Sequence, residues 1–175
     1  MGDVSDSVQA IERWLAALDS GGKTRLTITA YRRALAHFAR WSENSYGQPF
    51  EPARVIARDV RDWKSFQLTV EKAAPASINQ RLTAVSHFFD WAEAQKLVRA
   101  NPARSIKGMP VGGRQPKALS AKELRRLLRS VHAGGDLRDI AMVEMLAGTG
   151  LRVSELLALQ IEDVAIQPRS GYVVV

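Results

Sequence analysis

Residues 147–159, AGTGLRVSELLAL, constrain the fold more tightly than any other stretch. An apolar, helix-like segment carrying Ile140, Val143, Met145 and Leu146 runs into Gly148 and Gly150, and a second apolar-periodic segment follows at once. Glycine tolerates the positive φ that stops a helix, so the chain turns sharply here and starts again. The turn leaves Arg152 at the mouth of the second helix. Unpaired backbone N–H groups and the positive end of the helix dipole meet there, so a guanidinium beside them makes a pocket for a phosphate. Glu155, three residues on, shares the helical face and can hold that guanidinium in place. By spacing alone, the two are equally well a surface ion pair after a loop.

Taken whole, T-G-L-R-x-S-E-L-L-x-L closely resembles the first arginine motif of the tyrosine recombinase, or phage integrase, family, and the chain as a whole is Xer-like. Upstream, Asn101-Pro102-Ala103 resembles the family's domain junction, and Leu119-Ser120-Ala121-Lys122-Glu123-Leu124 resembles the opening of its catalytic domain. The resemblance covers nearly the whole chain, with separate motifs in the right order. It implies a mainly α protein in three parts: a four-helix, SAM-like core-binding domain at 1–103, a basic linker at 104–118, and the N-terminal part of an α+β catalytic domain at 119–175, with three helices and the start of a small sheet. It also implies that Arg152 binds the scissile phosphate and that Glu155 orients it.

Charge and composition narrow the partners. The net charge is +7, and its distribution is uneven: residues 1–103 carry +3, residues 104–130 carry +7 and residues 131–175 carry −3. A basic excess of this kind points to an acidic partner, most often nucleic acid. Prolines and glycines in 104–118 oppose helix and strand, so this segment reads as a flexible tether able to track a phosphate backbone. Arg104, Lys107, Arg114 and Lys117 are its candidate contacts, with Lys122 just past it, and a plain solubilising tether is the alternative. The chain has no cysteine, which excludes disulfides and thiolate metal sites and fits a reducing cytosol. Its polar, acidic start is not a signal peptide, and no apolar run approaches the roughly 20 residues that cross a bilayer. The expected setting is cytoplasmic, with no membrane, metal, cofactor or small-molecule substrate.

Four helices are predicted before the tether. The first starts near Asp6, with Gln9 completing a capping box, and buries Val8, Ile11, Leu15 and Leu18. Gly22-Lys23-Thr24 matches the tail of a phosphate-binding loop, but Ala17 stands where the first glycine belongs and the preceding segment is helical. A second helix over about 24–45 buries Ile28, Tyr31, Leu35 and Phe38 and turns Arg25, Thr29, Arg32, Arg33, His37 and Arg40 outward. A third, roughly 57–72, buries Val60, Trp63, Phe66 and Val70. The fourth opens at Ala74-Pro75 and carries Ile78, Leu82, Val85, Phe89 and Ala92 at alternating spacings of four and three, the mark of a packed seam. Its polar side offers Asn79, Arg81, Thr83 and Ser86. The four tryptophans, Trp14, Trp41, Trp63 and Trp91, read mainly as core.

In the family, the second and fourth helices dock against the DNA major groove, and two lobes clamp the duplex. Carried to this sequence, the DNA contacts expected on those helices are Arg25, Thr29, Arg32, Arg33, Asn79 and Arg81. Past the tether, Ser120 and Glu123 form a capping box, and Leu124, Leu127, Leu128 and Val131 line one helical face, with Lys122, Arg125, Arg126 and Arg129 around the rest. A further helix covers about 137–147. Strand-like Val164 and Ile166, a turn at 168–171 and strand-like 172–175 suit a hairpin.

The resemblance implies a reaction without metal or nucleotide: a tyrosine attacks a phosphodiester, and a 3′-phosphotyrosyl link conserves the bond energy for rejoining. Of the family's catalytic set only the first arginine is present. Its lysine belongs just beyond the strand where this sequence ends, and its H-x-x-R element and tyrosine come later still. The H-x-x-R letters at His37–Arg40 lie on the wrong side of Arg152, and Tyr31, Tyr46 and Tyr172 do not follow such an element. The expectation is therefore a truncated recombinase, from a shortened gene or an expressed fragment, that grips double-stranded DNA, meets other recombinase subunits in the full assembly and is inactive alone. The rival readings are completion of the site by another chain, and a helical protein-interaction module or regulatory remnant.

Overall fold

The structure, a computed structural model, describes residues 4–113, 117–167 and 170–175, with side chains from Gln9 onward. Arg114 and the residues 168–169 of the expected turn lie outside the described residues. Among those described, seven α-helices precede a two-stranded antiparallel sheet. The chain divides into two compact units, Met1–Arg114 and Gln115–Val175.

In the first unit, α1 (Val4–Ser20), α2 (Arg25–Tyr46), α3 (Ala57–Thr69) and α4 (Pro75–Ala94) close around one core. Each has an apolar stripe at helical spacing, so burial of those stripes drives the helices together. The expected start of α1 at Asp6 falls inside the helix, which begins at Val4. Thr24 caps α2 by accepting from the Thr27 N–H at 3.3 Å. The core is aromatic: Phe38 lies 4.9 Å from the Trp63 ring centroid, and Trp14 stacks on Tyr31 at 5.6 Å. Trp14 and Trp63 are buried, while Trp41 and Trp91 pack against the core from its edge. All five seam residues of α4 are buried, as its spacing predicts, together with Ala84 and Phe88.

The end of α3 differs from the expectation. Val60 and Trp63 are buried, but the helix stops at Thr69 and Val70 is 66% exposed. Lys72 takes a left-handed φ of 51° and folds the chain back, so that the Ala73 N–H donates to the Gln67 carbonyl at 2.9 Å. Gln67, on the last turn of the helix, is buried instead.

The tether reading also needs correction at its start. Ile106 and Met109 pack on the four-helix core. Asn79 grips the Met109 peptide twice, its Oδ1 accepting from the N–H at 2.6 Å and its Nδ2 donating to the carbonyl at 2.9 Å. A Cβ at Gly108 would lie 2.9 Å from Asn79 Oδ1, so a side chain there would push the amide off its two bonds. The segment stays irregular, as its composition predicts, but two apolar side chains pin it, and 104–109 lies on the first unit as a strap. Buried Asn101 anchors the strap's start, donating to the Ser86 carbonyl at 3.0 Å and to Asp90 at 2.8 Å.

The second unit contains α5 (Ala121–Gly134), α6 (Leu137–Thr149), α7 (Val153–Ala158), β1 (Val164–Gln167) and β2 (Ser170–Val173). Its elements are set by local signals. Ser120 Oγ accepts from the Glu123 N–H at 3.3 Å while the Glu123 carboxylate accepts from the Ser120 N–H at 2.8 Å, the expected capping box. Asp136 caps α6 by accepting from Arg138 and Asp139. Gly150, at φ 72°, ends α6 with its N–H on the Leu146 carbonyl. The hairpin pairs Val164 with Val173 and Gln167 with Ser170, so Gly171 lies in the strand and Val174 and Val175 follow it. None of the described residues of this unit is buried.

Candidate nucleic-acid interface

Arg25, Thr29, Arg33 and Arg40 recur at helical spacing on the α2 face opposite Leu35, and all four are exposed. Between α2 and α4 this face forms a cleft of about 480 Å³ lined by Arg33, His37, Arg40, Ser77, Gln80 and Arg81. Three guanidiniums on one cleft make a surface suited to a polyanion. Arg40 was absent from the expected DNA contacts, although its position seven residues after Arg33 puts it on the same face.

Arg81 is set by a polar cluster beneath that cleft. Its Nη1 donates to Glu71 Oε2 at 3.0 Å and to Gln67 Oε1 at 3.1 Å. Glu71 Oε1 lies 2.6 Å from His37 Nε2, and the Trp63 indole N–H donates to His37 Nδ1 at 3.0 Å. An indole can only donate, so Nδ1 accepts and the proton sits on Nε2, facing Glu71. Burial pushes the Glu71 carboxyl upward, but the hydrogen bonds from His37 and Arg81, with the Arg81 charge, outweigh this and hold it below its ordinary value. His37, expected on the outward face, is thus half-buried and linked inward.

The other expected contacts are divided. Arg32 turns to α1 and forks onto Glu12, with Nη2 donating at 2.9 Å. Asn79 is committed to the strap. Arg104 pairs with Glu93 at 2.7 Å and with Asp90 at 3.4 Å, so the strap begins folded against carboxylates. Lys107 and Lys117 are exposed, and Lys122 is exposed in the first turn of α5.

In the second unit, Arg152 is the N-cap of α7, with its side chain 81% exposed. Its Nη1 donates to Glu155 Oε1 at 2.5 Å, and its backbone N–H donates to Glu155 Oε2 at 2.7 Å. The backbone bond, then the side-chain bond, holds the Glu155 carboxyl below its ordinary value. The carboxylate therefore fixes both ends of Arg152 and leaves the rest of the fork in solvent. Among the described residues, no cluster of three or more His, Asp or Glu side chains is placed to hold a metal, and no helix is long and apolar enough to cross a membrane.

Residues 11–98 match the phage integrase N-terminal SAM-like domain, and residues 117–175 match the phage integrase family. The chain belongs to the phage integrase, or tyrosine recombinase, family. Tyrosine recombinase XerD of Ralstonia nicotianae is 34% identical over 163 residues, which cover 91% of this chain and 51% of that protein. The chain thus spans about half the length of the curated relatives it matches. In structure it is similar to a lambda integrase (75–356) dimer bound to a COC′ core site, with a TM-score of 0.70 at 17% identity, covering 95% of this chain and 60% of that one. It is likewise similar to a lambda integrase tetramer bound to a Holliday junction, with a TM-score of 0.69 at 19% identity, covering 90% of this chain and 44% of that one. These likenesses show the fold: a helical SAM-like lobe, then helices leading into a small sheet.

Proposed function

We propose that this chain is the DNA-gripping portion of a site-specific tyrosine recombinase. The α2–α4 cleft holds the backbone of a duplex, and Arg152 meets the scissile phosphate. The observation that carries this reading is the convergence of Arg33, Arg40 and Arg81 on one cleft of a chain in this family. Each cation seated on a phosphate releases counterions, so binding draws its strength from low salt. Arg33 and Arg40 supply charge from flexible stems, while Arg81 supplies a fixed fork.

Arg152 has the chemistry for charge developing on non-bridging phosphate oxygens: a planar donor fork, held by Glu155 and open to a ligand. Transfer also requires a nucleophile and an acid for the leaving sugar hydroxyl. In the family these are a tyrosine and the groups around it, beyond the residues present here. The proposed domain division is 1–103 and 119–175, with 104–118 between them and its first half worn as a strap. Other recombinase subunits, on DNA in the cytoplasm, are the proposed partners, in keeping with the dimeric and tetrameric lambda integrase assemblies.

Titrating labelled duplex DNA at low and raised salt tests the reading. Binding should weaken steeply with salt and discriminate only modestly between sequences, and affinity indifferent to salt would overturn it. A nicked suicide duplex should leave no covalent adduct on these 175 residues.

A further inference from the structure

We infer that Glu71 is a positioning residue for DNA: it holds the Arg81 guanidinium at the α2–α4 cleft, so that a carboxylate strengthens the grip on a polyanion. This rests on the proposed DNA-binding role of that cleft. Glu71 lies in the turn after α3, its side chain 29% exposed, and is shared between Arg81 and His37. Among the described residues, Arg81 bonds to Glu71 and Gln67 through Nη1. The guanidinium is planar, so anchoring one nitrogen inward turns its remaining N–H groups to the opposite edge. Arg81 is also a lining residue of the cleft, its side chain 30% exposed.

The supports of the cluster are themselves fixed. Gln67 and Trp63 are fully buried, and Trp63 keys the His37 ring that faces the second Glu71 oxygen. An arginine free in solvent loses rotamer freedom when it seats on a phosphate, and one already held loses little. Against this, Glu71 is a negative charge near DNA. That charge is paired with Arg81 at 3.0 Å, so its residual field on a phosphate across the cleft is small. Charge counting and positioning therefore give opposite signs for one substitution.

The experiment measures duplex DNA affinity of the full chain by fluorescence anisotropy, for wild type, E71Q, R81Q and the double variant, with helix content checked by circular dichroism. Although E71Q makes the chain more positive, it should loosen binding roughly three- to tenfold. In the R81Q background the same change should have no loosening effect, because no fork remains to be held. Unchanged or tighter binding by E71Q, or equal loosening in both backgrounds, overturns the inference. Should E71Q fail to fold, R81K provides the second reading: it keeps the charge but loses the fork, so it should bind at least about threefold more weakly with an unchanged salt dependence. Wild-type affinity in R81K overturns the inference. If the wild-type chain binds no duplex, both this inference and the proposed function fall. If it binds and E71Q tightens it, this inference alone falls.

Discussion

The two units are both mainly helical, yet they are held by different forces. In the first, Trp14, Phe38, Trp63, Phe88 and Phe89 are fully buried at one centre, and α1 to α4 all contribute to it. In the second, none of the described residues is buried, and Leu127 and Leu157 are 41% and 64% exposed. Its helices are defined by caps at both ends: Ser120 and Gly135 on α5, Asp136 and Gly150 on α6. Short helices are marginal in water without tertiary packing. The contrast is between a unit built around a shared core and one whose described residues are half-buried or exposed and whose helix ends are set by local hydrogen bonds. The α2–α4 cleft is built on the first, where Glu71 and Gln67 hold Arg81, whereas Arg152 stands on the second and is steered, among the described residues, by Glu155.

The largest expected effect comes from deleting a ring from that core. Phe38→Ala should cost about 3–5 kcal/mol and abolish the cooperative denaturant transition of the first unit. Leu128→Ala, at a half-buried position on α5, should cost under about 1 kcal/mol. Similar losses from the two would erase the distinction. Next, Asp136→Ala removes the acceptor for two backbone N–H groups of α6 and should cost about 1 kcal/mol. It should be visible as faster amide exchange confined to α6, and a uniform loss of protection across both units would show that the second is not locally held.

The smallest effect is in pH. The Glu123 carboxyl is held low by its bonds from the Ser120 side chain and backbone, and Glu155 by those from Arg152. A carboxyl lower in the folded than in the unfolded state contributes stability above the ordinary carboxylate range and loses it as pH falls through the depressed value. Acidification should therefore fray the first turns of α5 and α7, while α2, capped by the Thr24 hydroxyl, keeps its start. Amide chemical shifts at those turns check this, and both carboxylates are exposed enough for the effect to be slight.

Much of this architecture was legible from the residues. The Ser120–Glu123 box, the α4 seam and the Gly150 stop each depend on neighbours in sequence, where local rules apply. What was not legible depends on rotation and packing between helices. Arg32 and Arg33 are adjacent, yet one pairs with Glu12 on α1 and the other lines the cleft. Asn79 was expected among the DNA contacts of the fourth helix, but packing of Ile106 and Met109 brings backbone groups within its reach. Glu71 gave no periodic signal at all, because it lies in the turn made by Lys72 after α3 ends. Of the arginine site, the Arg152–Glu155 pairing was readable from a spacing of three, and the degree to which the Arg152 side chain stands in solvent was not.

The most direct measurement of the central claim is the salt dependence of duplex binding for the wild type and for an Arg33→Gln, Arg40→Gln double variant. Both arginines are exposed cleft residues without an ion pair among the described residues, so each is free to seat on a phosphate. If the α2–α4 cleft holds the DNA backbone, the slope of log affinity against log salt should fall by about 1–2 for the double variant, near 0.9 for each phosphate no longer neutralised. A slope and affinity identical to wild type would place the duplex elsewhere and contradict the account.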